Sequence, residues 1–245
     1  MKNYQWFLRR ALAAGAAAGI TTSLVVVLMG EPALRKALKV EDARAAGEHA
    51  TEMFSRSTQV VGGAVAAVLY GLVVGMLFCG AFLVVRHRLR LTDDFRRVVV
   101  VAGAGFIGTA LIPALKYPAN PPAVGDPDTI AQRTVGYFAL LVWGLIVVTL
   151  VWIIHQRLSN RAVSIATRSI VCSACGIGLV AASYLLLPDS GPIPSDMPAG
   201  LIWRFRLISM AGLATTWLTL GLVMGWLCDQ PDNVRAMSAK LRRKS

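Results

Sequence analysis

Six apolar runs, none holding Asp, Glu, Lys, Arg or His, constrain this chain more than any other feature. They are Ala11–Met29, Val60–Val85, Val98–Leu115, Val135–Ile154, Ser169–Leu187 and Leu207–Leu227. A helix rising 1.5 Å per residue needs about 20 residues to cross roughly 30 Å of hydrocarbon. A lone segment in lipid satisfies its own backbone only as a helix. The expected fold is therefore all-α: a polytopic integral membrane protein whose six transmembrane helices form three helical hairpins. The whole chain, 1–245, reads as a single transmembrane domain with an outer loop at 31–58. Only 16% of residues are charged, whereas soluble domains carry about 25%. Disorder, collagen and a small disulfide scaffold are excluded, and a soluble enzyme is disfavoured.

The formal charge of +12 suggests nucleic acid until the positions are read. With the N-terminus inside, the inner segments hold 16 of the 25 cations and 4 of the 13 acids. The outer loops are neutral, so the whole excess lies on one face. Positive-inside topology explains this without nucleic acid, and places both termini in the cytoplasm. Basic inner segments also suit anionic headgroups of the lipid bilayer. The first run spans 19 residues and no small-x-small site follows it directly, so a retained helix is expected rather than a signal peptide.

The three even-numbered spans are each approached through arginine on the outer side: Arg56, Arg133, and Arg204 with Arg206. Prolines mark the outer ends of the odd-numbered ones, at Pro32, Pro118 and Pro188. This pattern is compatible with three repeated hairpins, as parallel repeats are common in transporters.

Several motifs have bland readings. Gly103-x-Gly105-x2-Gly108 imitates a dinucleotide fingerprint, but the apolar run continues past it and prolines follow. Helix packing suits those glycines better, as it does Gly71-x3-Gly75 and Gly221-x3-Gly225. Cys172-x2-Cys175 lies within a span and supplies only two of the four ligands of a closed site. His87 and His155 sit in basic inner segments. His49 differs: if its segment is helical, it shares a face with Glu52 and Met53, beside Glu48. There is no G-x4-G-K-[ST], H-E-x-x-H or G-x-S-x-G, so the chain is not expected to be an enzyme.

The densest segment runs from Lys116-Tyr117-Pro118-Ala119-Asn120-Pro121-Pro122 through Gly125-Asp126-Pro127 to Arg133-Thr134. Its prolines make a stiff loop. Lys116, Asp126 and Arg133 are candidates for an ion-pair network at an outer mouth. Structural lock and solute contact both stay open for it.

Residues 116–127 resemble the signature of the CbtA family of bacterial cobalt transporter subunits. Gly30-Glu31-Pro32 after the first span, Arg133-Thr134 with Tyr137-Phe138 opening the fourth, and Trp203-Arg204-Phe205-Arg206 opening the sixth agree with it. The resemblance covers essentially the whole chain. It implies an inner-membrane protein of a bacterium, linked to cobalt supply for cobalamin synthesis, and a small single-span partner, CbtB, that bears histidines. It implies no cofactor, with cobalt ion as the transported substrate. Relatives often carry a His-rich first outer loop, but here residues 40–53 hold only His49.

The expected function is a membrane transporter subunit for Co²⁺ uptake, with His49, Glu48 and Glu52 as recruiting metal ligands. Lys116, Tyr117, Asn120, Asp126, Arg133, Arg204, Arg206 and Glu31 are the expected transport path or outer mouth. Arginines beside a cation path need carboxylate partners, and Asp126 and Glu31 are the candidates. The alternative is a non-transporting membrane scaffold or accessory subunit, in which the same residues are locks or docking contacts.

Overall fold

A computed structural model describes residues 3–44, 54–122, 124, 129–188, 191, 194 and 197–230. Among these residues there is no strand, and six helices are long and apolar enough to cross a membrane. The first comprises α1 (Tyr4–Val25), a π-helical turn (Val26–Gly30) and α2 (Glu31–Arg44). The second is α3 (Arg56–Val85). The third comprises α4 (Asp94–Phe106), a second π turn (Ile107–Leu111) and α5 (Ile112–Lys116). The remaining three are α6 (Ile130–Asn160), α7 (Ile165–Leu186) and α8 (Ala199–Asp229).

Polar caps set several starts. The side-chain oxygens of Asn3, Ser55, Asp93 and Ser164 accept from the backbone N–H three residues on, satisfying groups that a helix N-terminus leaves open. Glu31 and Pro32 were expected to begin the outer loop, but the helix runs straight through them. The π turn explains this. Glu31 N–H bonds back five residues to the Val26 carbonyl, so the ladder is already shifted when Pro32 arrives without an N–H. Pro113 stands in the same relation to its turn, where Ile112 N–H reaches the Ile107 carbonyl. The two prolines thus follow identical devices in the first and third spans.

The first span packs on α3 through bare backbone. A Cβ on Gly19 would come within 2.6 Å of the Val68 Cα, and one on Gly71 within 2.8 Å of the Gly19 Cα. Close approach of this kind is what holds helices together in lipid, where apolar burial alone gives no preference. Gly221 and Gly225 of α8 receive Ala102 and the Phe95 ring of α4, and Gly105 receives the Trp217 ring of α8. Gly108 backs onto Gly144 of α6. The dinucleotide-like glycines therefore lie in one packed helix.

In space the spans run second, first, sixth, third, fourth, fifth. The expected third hairpin is not closed by packing: α7 lies on α6, while α8 is wedged between α1 and α4. The glycines explain the choice, because α8 offers Gly212, Gly221 and Gly225 as buried surface whereas α7 buries only Ser183. Leu185, Leu186, Ile170 and Ile177 of α7 are all strongly exposed, as a lipid-facing helix requires.

Phe7, Phe78, Phe82, Val98, Leu220 and Met224 form the main core, near the arginine-rich end. Arg10 ties the start of α1 to the end of α8 there. Its Nε donates to the Leu227 carbonyl at 2.8 Å, and its guanidinium lies 3.5 Å over the Trp6 ring. The start of α1 and the end of α8 are thus at one end of the bundle. Asp94 accepts from Arg97 at 3.2 Å, with Arg86 at 4.0 Å, and the Arg86 guanidinium covers the Phe7 ring at 4.2 Å.

Candidate functional site

The opposite end carries the proline loop, and two cavities open there. The first, of about 370 Å³, lies under the loop and is lined by Tyr117, Pro118, Asn120, Val124, Ile130, Arg133, Thr134 and Tyr137. The loop is laced to its neighbours by side chains that the sequence singles out. Lys116 is only 6% exposed. Its Nζ donates to the Tyr184 carbonyl at 3.2 Å and lies 5.0 Å from that ring's centre. Such a carbonyl near a helix C-terminus attracts a cation. Tyr117 Oη donates to the Pro188 carbonyl at 2.6 Å, and Gly136 leaves room for its ring. Asn120 Oδ1 accepts from Arg206 Nη2 at 2.8 Å and from its Nε at 3.3 Å. These bonds join the loop to the ends of α7 and α8.

The second cavity, of about 380 Å³, lies between the first, second and sixth spans, beside the Val26–Gly30 turn. Its wall is mostly apolar, with Ser23, Ser209, Gln59, Glu31 and Arg56 as the polar exceptions. Arg56 grips the Glu31 carboxylate at two points, Nε on Oε1 at 2.9 Å and Nη2 on Oε2 at 2.6 Å. This forked pairing is the strong geometry for a guanidinium. Arg35, one helical turn on, adds Nε to Oε1 at 2.9 Å. Glu31 lies just beyond the apolar run. The hydrogen bonds from Arg56 and then Arg35 hold its carboxyl below the usual carboxylate range. Arg56 also donates from Nη1 to Gln59 Oε1 at 2.7 Å.

The residues expected at one outer mouth therefore divide. Lys116, Tyr117, Asn120, Arg133 and Arg206 gather at the proline loop. Glu31 belongs to the other cavity, with Arg56 as its main partner. Arg204 is exposed and lines neither. Asp126, His49, Glu48 and Glu52 lie outside the described residues. Among the described residues no three His, Cys, Asp or Glu side chains gather closely enough to hold a metal. Cys172 Sγ lies 3.9 Å from the Val151 carbonyl, where the fifth span packs on the fourth.

Sequence reading missed a seam of hydroxyls between α1 and α8. Thr22 Oγ1 and Thr216 Oγ1 are 2.7 Å apart, and Thr21 Oγ1 and Thr219 Oγ1 are 3.1 Å apart. Spacing gives the signal: Thr216 and Thr219 are three apart on one face, opposite adjacent threonines.

Neither a curated protein nor a solved structure matches the chain. A family model does, over residues 4–229, covering all six spans and both cavities. Six membrane-length helices, the proline loop at one end and this match agree, and the chain belongs to the family described as "Probable cobalt transporter subunit (CbtA)".

Proposed function

We propose that the chain is the multi-span subunit of a Co²⁺ uptake system of the bacterial inner membrane, feeding cobalamin synthesis. The arginine-rich end, which holds the start of α1 and the end of α8, faces the cytoplasm, and the two cavities face outward. The observation that carries the reading is the family match over residues 4–229 in a chain with six membrane-length helices.

The described lining of the two cavities holds arginine, neutral oxygens and one Glu31–Arg56 pair rather than a tight ligand cluster. Imidazole and carboxylate suit a transition ion better than hydroxyls do. Capture is therefore assigned to His49, Glu48 and Glu52 together with a small single-span CbtB-like partner bearing histidines. Arg133 lines the cavity under the proline loop, whose shape Lys116, Tyr117, Asn120 and Arg206 hold. Glu31 neutralises Arg56, which removes one electrostatic objection to a cation.

The test is cobalt uptake by cells expressing the chain with and without a histidine-bearing single-span partner. Uptake above the empty-vector control is expected when both are present. Equal uptake, with the protein verified in the membrane, removes the transporter reading and leaves the accessory-subunit one. That second reading has its own support, because four of the expected mouth residues are already bonded to the loop or to its neighbouring helix ends.

A further inference from the structure

The two π turns leave their backbones in different conditions. Glu31 N–H is engaged by the Val26 carbonyl and Pro32 has no N–H, so the Val27 carbonyl has no helical donor. The same accounting strips the Gly108 carbonyl, because Ile112 N–H goes to Ile107 and Pro113 follows. At membrane depth a bare carbonyl is tolerated only against protein or on a water-filled cavity. Gly108 is buried against the Gly144 backbone. Val27 instead lines the cavity between the first, second and sixth spans, together with Ser23 and Ser209.

The seam of hydroxyls continues from this cavity. Gly212 stands between them: a Cβ there would lie 3.8 Å from the Cγ2 methyl of Val26 on the cavity wall and 3.8 Å from the Cγ2 methyl of Thr22. Beyond it come the Thr22–Thr216 and Thr21–Thr219 pairs, and Thr216 Oγ1 donates to the Gly212 carbonyl at 3.1 Å. Neutral oxygens of Thr21, Thr22, Gly212, Thr216 and Thr219 thus line the α1–α8 contact beyond the cavity. Among the described residues the charges on the lining are Glu31 and Arg56, which cancel.

We infer that this cavity, and not the one under the proline loop, is the outer half of the solute path. Its ligand is a hydrated divalent cation, met by the Val27 carbonyl and the Ser23 and Ser209 hydroxyls. Oxygen dipoles without net charge bind such an ion weakly enough to release it, which conduction requires. An ion with six waters occupies roughly 200 Å³ at about 30 Å³ per water, which the 380 Å³ cavity accommodates. The threonine pairs are the next polar groups inward. The inference rests on the transporter reading for its direction of flow, but the cation site is testable without flux.

The experiment uses the full chain, with its four cysteines replaced by alanine, expressed with the histidine-bearing partner. Ser23→Cys and Ser209→Cys are treated from outside with a charged, membrane-impermeant methanethiosulfonate reagent, with and without cobalt chloride. Gly62→Cys, in open space on α3, serves as the lipid-facing control. Both serine positions are expected to react at least 10-fold faster than the control, and cobalt chloride to slow them at least 3-fold. Ala64→Trp, which fills the cavity, is expected to lower cobalt uptake at least 10-fold with normal membrane abundance. Unreactive Ser23→Cys and Ser209→Cys, or reaction that cobalt leaves unchanged, overturns the cation site. Parental uptake in Ala64→Trp overturns the path. Cobalt-protected labelling in a parent chain that takes up no cobalt upholds the site and removes the transporter reading instead.

Discussion

Glu31 and Arg56, 25 positions apart in the chain, form a two-point ion pair that pins the extension of the first span to the start of the second. Because the arginines lower the Glu31 pKa from 4.5, the pair stabilises the folded state. That contribution is complete above the ordinary value and is lost as pH falls through the lowered one. Both side chains are partly exposed, so about 1 kcal/mol is a fair magnitude. Glu31→Gln is expected to lower the melting temperature in detergent at pH 7 and to flatten the acid limb below pH ~4.5. A parallel acid limb in both proteins, followed by tryptophan fluorescence, would show that the pair contributes nothing.

Arg206 and Tyr117 hold the proline loop by separate bonds, to Asn120 and to the Pro188 carbonyl. Each bond contributes about 1 kcal/mol, and bonds without shared partners add. Tyr117→Phe and Asn120→Ala are expected to lower the melting temperature by about 2–4 °C each, with the double variant near the sum. Arg206→Lys restores little, since an ammonium lacks the planar fork that delivers two donors to one acceptor.

The Ile107–Leu111 turn carries one residue more than a regular helix would. Deleting Thr109 is therefore expected to keep both flanks in register, with a kink where Pro113 enters the α-helical ladder. Deleting Gly103, within α4, rotates everything beyond it by about 100° and moves Lys116 off the Tyr184 carbonyl. Membrane abundance is expected to survive the first deletion and to fall several-fold with the second. The opposite ranking on immunoblots would contradict the assignment of the turn.

The spans are legible in the sequence because length without charge leaves lipid no other solution. The partners of each span are not. Gly71 and Gly75 announce a close contact, but nothing in the chain says that Gly15 and Gly19 receive it. Pro32 reads as an exit, since a proline's missing N–H ordinarily ends a helix; the preceding π turn absorbs that defect over distances no periodicity reports. Glu31 is recognisable as a carboxylate that some arginine needs, and the fold selects Arg56. Lys116 reads as one member of an ion-pair network, whereas its bond to the Tyr184 carbonyl depends on α7 ending beside the loop. The threonines are spaced to share a face, but only the α1–α8 contact makes their hydroxyls face each other.

The glycines give the sharpest contrast between two sites of the same residue. At Gly71 a Cβ meets the Gly19 Cα at 2.8 Å and further backbone beside it, and neither helix has a flexible side chain there that can yield. At Gly103 a Cβ meets nothing within 4 Å. Gly71→Val is therefore expected to separate α3 from α1 and so to expose one wall of the cavity that Val27 lines. Gly103→Ala is expected to be neutral or to stabilise by up to about 1 kcal/mol, the gain of alanine over glycine inside a helix. Size-exclusion profiles in detergent would show the parental peak for Gly103→Ala and aggregate for Gly71→Val. A parental profile and melting temperature for Gly71→Val would mean that the first two spans are not packed backbone to backbone.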